Sequence, residues 1–113
     1  MRTYVIPTCL AGASFKTYAK LKDPIASYAE VTLDIVSKAR DARHAVSFAY
    51  PAQEGKSELE VNGLILSAAV PAGVTEKLAE GVYTALWTVK RADASVEGGK
   101  VIKVRWDCIK IER

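Results

Sequence analysis

The sequence predicts an α+β fold class: a small single domain dominated by antiparallel β-sheet, with one helix near 24–43. Three observations predict it. Residues 82–91 and 100–112 alternate apolar and polar side chains with a period of two, as a strand buried on one face does. Between them, residues 91–100 are rich in turn formers, and Gly98-Gly99 offers easy positive φ beside the second strand. Upstream, Asp23-Pro24 supplies a helix N-cap and a proline at the first helical position, ahead of a glycine-free stretch. Five to seven strands are expected in all, with a partly open barrel as one arrangement of them. No linker, internal repeat or low-complexity tract divides residues 1–113, so one domain is expected.

In chain order, 3–10 reads as a strand that Pro7 pushes toward a sheet edge or a bulge. Ala11-Gly-Ala-Ser14 is a turn. Residues 15–22 alternate cleanly, with Phe15, Thr17, Ala19 and Leu21 against Lys16, Tyr18, Lys20 and Lys22. The helix over 24–43 has an alternative capping box at Ser27-x-x-Glu30 and a favourable Asp34–Lys38 spacing. Against it stands the β-branched content of 31–36, which favours a strand. Residues 45–50 form a strand ended by Pro51. Asn62-Gly63 is the strongest two-residue hairpin signal, joining 58–61 to 64–70, and a single long strand bulged at Gly63 competes with it. A short helical turn is expected over 75–80, ended by Gly81. In the last hairpin Tyr83, Ala85, Trp87 and Val89 share an apolar face with Ile102, Val104, Trp106 and Cys108. A hairpin is marginal alone, so the rest of the chain must cover that face.

Half of the residues are hydrophobic, yet no apolar run approaches the roughly 18–20 residues of a membrane span. No signal-peptide pattern opens the chain, so a cytoplasmic location and no membrane partner are expected. Cys9 and Cys108 lack CxxC spacing and suit neither a zinc site nor a disulfide framework; buried reduced thiols are expected. The net charge of +3 is unevenly spread. Residues 1–22 carry Arg2, Lys16, Lys20 and Lys22 with no acid, 23–89 carry nine acids against five bases, and 90–113 carry seven bases against four acids. Basic ends around an acidic middle point to a polyanion-binding face if the two ends meet in space.

Catalysis has little support. His44 is the sole histidine, which rules out a histidine metal cluster. No GxGxxG, P-loop, HExxH or GxSxG motif occurs. Glu58 and Glu60 alternate on one strand face, where a charged edge that resists aggregation explains them more cheaply than a catalytic pair. No catalytic residue, metal site or cofactor is expected.

A binding role is the sharper expectation, and single-stranded nucleic acid is its first ligand. Such binders combine a cationic groove with aromatic platforms, because each phosphate carries charge and each base a π face. Lys16, Tyr18, Lys20 and Lys22 supply both on one strand face, and Lys90, Lys103 and Arg105 would extend it across the last hairpin. The run 78–83, a glycine-bearing loop and a closing strand ending in Ile109-Lys-Ile-Glu112 resemble the last hairpin of small phage and bacterial oligonucleotide-binding barrels. That resemblance covers the final third alone and names no family. The alternative is a protein–protein interaction module of a phage or mobile element: a structural component, a host-system inhibitor or an assembly subunit. Tyr4, Tyr50 and Tyr83 would then be contact candidates, and a homo-oligomer would form by pairing an open strand edge. One observation separates the two. Nucleic-acid binding needs the lysine strand and the last hairpin on one positive surface, without the acids of 54–60 between them.

Overall fold

The computed structural model describes residues 6–38, 44–92, 95, 97 and 99–113, with backbone alone at 44–45. It is mostly β, with 59% of the described residues in strands and 7% in helix. Among the described residues nine strands run in chain order: β1 (Thr8–Leu10), β2 (Phe15–Lys20), β3 (Glu30–Ser37), β4 (His44–Tyr50), β5 (Ser57–Glu58), β6 (Glu60–Asn62), β7 (Ile65–Val70), β8 (Gly81–Arg91) and β9 (Lys100–Glu112). A six-stranded sheet of order β1-β9-β8-β3-β4-β5 curls into a half-barrel, and a three-stranded sheet of order β2-β7-β6 is the second layer. The pairs are antiparallel except β1 with β9 and β4 with β5.

The expected helix over 24–43 does not form in its described part. Ile25–Ser27 is a single 3-10 turn, and Glu30–Ser37 is β3, a central strand between β8 and β4. The cap residues occur in the sequence but no side-chain cap hydrogen bond forms, and Val31, Thr32, Ile35 and Val36 are stiff at χ1 and fit a pleated surface better than a helix. Tertiary pairing then decides, because β3 hydrogen-bonds on both edges and fully buries Val31, Leu33 and Ile35. Residues 39–43 lie outside the described set. The helical segment α1 is Ala72–Thr75, one turn earlier than expected, entered from Pro71. A hairpin forms between β6 and β7, but its two-residue turn is Gly63-Leu64 rather than Asn62-Gly63: Asn62 ends β6 paired with Ile65, and Gly63 takes the positive φ of 61°.

The last hairpin forms as expected and sets the frame. Trp87 stands opposite Val104 and Ala85 opposite Trp106, so both indoles share the inner face, stacked with centroids 6.2 Å apart. The strict alternation breaks at Cys108, where a bulge lets Tyr83 pair with Ile109 and Thr84 with Asp107. Continued alternation would have turned Lys110 into the core. The inserted residue instead sends Ile109 and Ile111 inward, both buried, and leaves Lys110 exposed.

The inner faces of the two sheets share one core. Val31, Leu33, Ile35, Phe48, Tyr83, Ala85, Trp87, Ile109 and Ile111 come from the curled sheet, and Leu66, Ala68 and Val70 from the smaller one. Two short crossings join the layers. At one side the turn after β1 leads into β2, and fully buried Thr75 holds it to α1. The Thr75 hydroxyl donates to the Ala13 carbonyl (2.7 Å), has the Ala72 carbonyl at 3.0 Å as a second acceptor, and accepts the Gly12 N–H at 3.2 Å. At the other side the chain passes from β5 to β6 through buried Leu59, whose N–H donates to the Ala49 carbonyl at 3.1 Å.

Candidate functional site

The seven residues expected to bind nucleic acid fall into two groups. Lys16, Tyr18 and Lys20 all lie exposed on the outer face of β2, with Tyr18 58% exposed, because Thr17 and Ala19 take the inner face. Lys22 follows the strand, exposed just past buried Leu21. Lys90, Lys103 and Arg105 are exposed on β8 and β9 of the other sheet, on the outer side shared by Thr88 and Leu86. Both sheets turn their inner faces to one core, so the two outer faces point away from each other.

An acid also sits on the β2 face. Tyr18 pairs with Ser67, and Ser67 pairs in turn with Glu60. The Glu60 carboxylate lies 3.9 Å from the Lys16 ammonium, with both side chains largely exposed. That ion pair is worth little in stability, but it lowers the positive potential at the one aromatic platform. Lys90 pairs with Glu30 at 3.5 Å, and the Gln53 amide bonds the same carboxylate. The Gln53 hydrogen bond, followed by the Lys90 charge, holds Glu30 below the ordinary carboxylate range. Among the described residues, Lys20, Lys22, Lys103 and Arg105 form no ion pair within 4 Å.

A pocket of about 510 Å³ opens on the curled sheet beside Val36, Lys38, Thr84, Arg105 and Asp107. Lys38 donates to Asp107 at 2.9 Å and Thr84 donates to its other oxygen at 3.2 Å. The lysine hydrogen bond, aided by Thr84, keeps Asp107 below its usual carboxylate value. A carboxylate held ionised in this way suits a clasp between β3 and β9 rather than a proton donor at neutral pH. Among the described residues no group of three His, Cys, Asp or Glu side chains is arranged to hold a metal ion. The His44 side chain lies outside the described residues. Cys9 and Cys108 are both free and buried, and burial pushes the Cys108 thiol up to about 11, far from a reactive thiolate.

The aromatic contact candidates are corrected in one case. Tyr83 is 3% exposed, its hydroxyl donating to the Ala79 carbonyl at 2.8 Å, so it is core rather than surface. Tyr50 is half-buried and lines an open cleft with Glu58, Leu59, Glu60 and Val61. Tyr4 lies outside the described residues.

The feature that sequence reasoning missed is the outer end of the last hairpin. From Lys100 to Arg105 every residue is exposed, including Val101 (49%), Ile102 (41%) and Val104 (45%). Its partner strand ends in exposed Lys90 and Arg91, the latter bonded to Asp23 at 2.8 Å and lying 5.9 Å from the Tyr28 ring centroid. β1 pairs with β9 only at Lys110, Ile111 and Glu112. Among the described residues no strand lies beside the rest of the β9 edge. Ile102 and Val104 were expected in the core with the tryptophans. The signal against that was Val101, an apolar residue out of phase within a stretch that also carries Lys100, Lys103 and Arg105.

Compared with models of known protein families and with curated proteins, the chain matches none. No helix among the described residues is long and apolar enough to cross a membrane.

Proposed function

We propose that the protein acts by binding rather than by catalysis, as a protein–protein interaction module that presents the β8–β9 arm to a protein partner. A structural component or assembly subunit of a phage or other mobile element fits this reading. The observation that carries it is the cluster Val101, Ile102 and Val104, exposed on a strand whose edge is open among the described residues. Isolated proteins blunt such edges or cover them, because an unpaired ladder of N–H and C=O groups beside apolar side chains recruits another chain. Strand addition to that edge would supply backbone hydrogen bonds for affinity, and the alternating side chains would supply selectivity.

The test is selection of extended peptides from a random display library on the folded protein. Winners are then measured against an Ile102→Glu/Val104→Glu variant whose thermal melt matches the parent. Binding lost in the variant is the expected result. Winners that bind both proteins alike would put the binding surface elsewhere and end the arm reading.

Binding of single-stranded nucleic acid is a second reading, favoured by one observation: Lys16, Tyr18 and Lys20 share an exposed strand face. Anisotropy of a labelled oligonucleotide across a salt series tests it, with Lys20→Glu/Lys22→Glu alongside. Steep salt dependence that vanishes in the variant supports phosphate tracking. Absence of binding at low salt removes it.

A further inference from the structure

Among the described residues, two stretches at the edges of the curled sheet have no neighbouring strand, and they carry opposite charge. At one end, the stretch of β9 that has no neighbouring strand among the described residues bears Lys100, Lys103 and Arg105, none in an ion pair among those residues, interleaved with exposed Val101, Ile102 and Val104. At the other end lies β5, whose only partner in the sheet among the described residues is β4. Beside it opens a cleft of about 550 Å³ walled by Tyr50, Leu59 and Val61 and rimmed by Glu58 and Glu60. Glu54 is exposed just upstream. The arm offers apolar side chains flanked by cations, and the cleft offers apolar walls flanked by carboxylates.

We infer that the β9 arm of one copy docks into the β5–β6 cleft of the next, so that the chain assembles head to tail. This rests on the reading of the arm as a protein-binding surface and names its occupant as a second copy of this chain. The contact cannot be made within one molecule. β9 and β5 are separated by four strand steps in the sheet order, about 19 Å along its curve at roughly 4.8 Å per step.

Symmetric pairing of two β9 edges is the competing geometry, and charge opposes its Val104-centred register. In an antiparallel pair centred on Val104, Lys103 of each copy would stand opposite Arg105 of the other, twice in one interface. Like charges directly opposed are destabilising. The heterologous contact replaces those repulsions with Lys100, Lys103 and Arg105 against Glu58 and Glu60, and it lodges Ile102 and Val104 against Tyr50, Leu59 and Val61. Glu60 would exchange its long 3.9 Å contact with Lys16, an exposed pair of small worth, for the incoming cations. A heterologous interface repeats until the rotation closes a ring or extends a filament.

The experiment is sedimentation velocity across a concentration series at low salt on four samples: the wild type, Lys103→Glu/Arg105→Glu, Glu58→Lys/Glu60→Lys, and an equimolar mixture of the two variants. Circular dichroism confirms that each variant is folded. The expected results are association of the wild type, at least about tenfold weaker association of each variant alone, and recovery in the mixture, where each reversed arm meets a reversed cleft. A wild type that stays monomeric overturns the inference, while peptide binding at the arm would still stand by its own test. Loss of association in the arm variant alone, with the cleft variant unaffected, overturns head-to-tail docking and leaves the arm pairing with another surface.

Discussion

Replacing Thr75 by valine exchanges one hydroxyl for a methyl group in a site with no exposed surface. The two side chains have nearly the same shape, so no cavity opens. What is lost is the hydrogen bond donated to the Ala13 carbonyl at 2.7 Å and the acceptor of the Gly12 N–H at 3.2 Å. A buried polar group left without a partner costs about 1–3 kcal/mol. Gly12 and Ala13 themselves are exposed, and water can replace part of the loss, which places the cost near 1–2 kcal/mol. For a chain of 113 residues, an unfolding entropy of about 2.1 cal/mol/K per residue converts this to a fall in Tm of about 4–8 °C. Thermal and urea melts followed by circular dichroism measure it. Amide exchange at Gly12 reports the local effect, which should quicken as the turn between the layers loosens. Thr75→Ser is the control: it keeps the hydroxyl and loses only a buried methyl group, at about 1 kcal/mol. If Thr75→Val melts with the wild type while Thr75→Ser falls, the hydroxyl does not staple the layers.

Two further outcomes follow from the electrostatics. Because its partners hold Asp107 below its ordinary value of 3.8, the Lys38–Asp107 clasp contributes stability that is complete above that value and is lost as pH falls through the lower folded pKa. The stability gap between wild type and Lys38→Met should therefore shrink on acidification from about pH 5 to about pH 2; a gap that does not change with pH would discount the clasp. Cys9 and Cys108 are 7% and 8% exposed, and the Cys108 thiol is pushed up to about 11. In a thiol-reagent titration near pH 8, both should stay unlabelled until the protein is unfolded. Fast labelling of Cys108 in the native protein would contradict its burial.

Much of this fold is written in local pattern. The hairpin of β8 and β9, the strand at 15–20, a hairpin at Gly63 (though not its register) and the buried free cysteines follow from period-two alternation, turn chemistry and cysteine spacing. The Lys16, Tyr18 and Lys20 face was legible for the same reason, since a strand sends alternate residues to opposite sides whatever it pairs with.

Local pattern left open whatever depends on which segments meet. Residues 30–37 carry helix start signals and β-branched residues together, and the contest was settled by hydrogen bonding to β8 and β4 on both edges, partners remote in sequence. The bulge at Cys108 answers to the need to keep Lys110 out of the core, a constraint that exists only once a core exists. The exposure of Ile102 and Val104 was hidden for a related reason. Their alternation is that of core residues, and only the extent of the second layer determines how far along the hairpin the core reaches. The sequence by itself determined a small, mostly β chain with basic ends and an acidic middle, because composition and periodicity are properties of neighbours. Tertiary structure alone decided that the two basic segments lie in different sheets and that the basic stretch of β9, exposed among the described residues, stands four strands from the cleft rimmed by Glu58 and Glu60. Strand order and layer coverage are fixed by long-range pairing, which no local window contains.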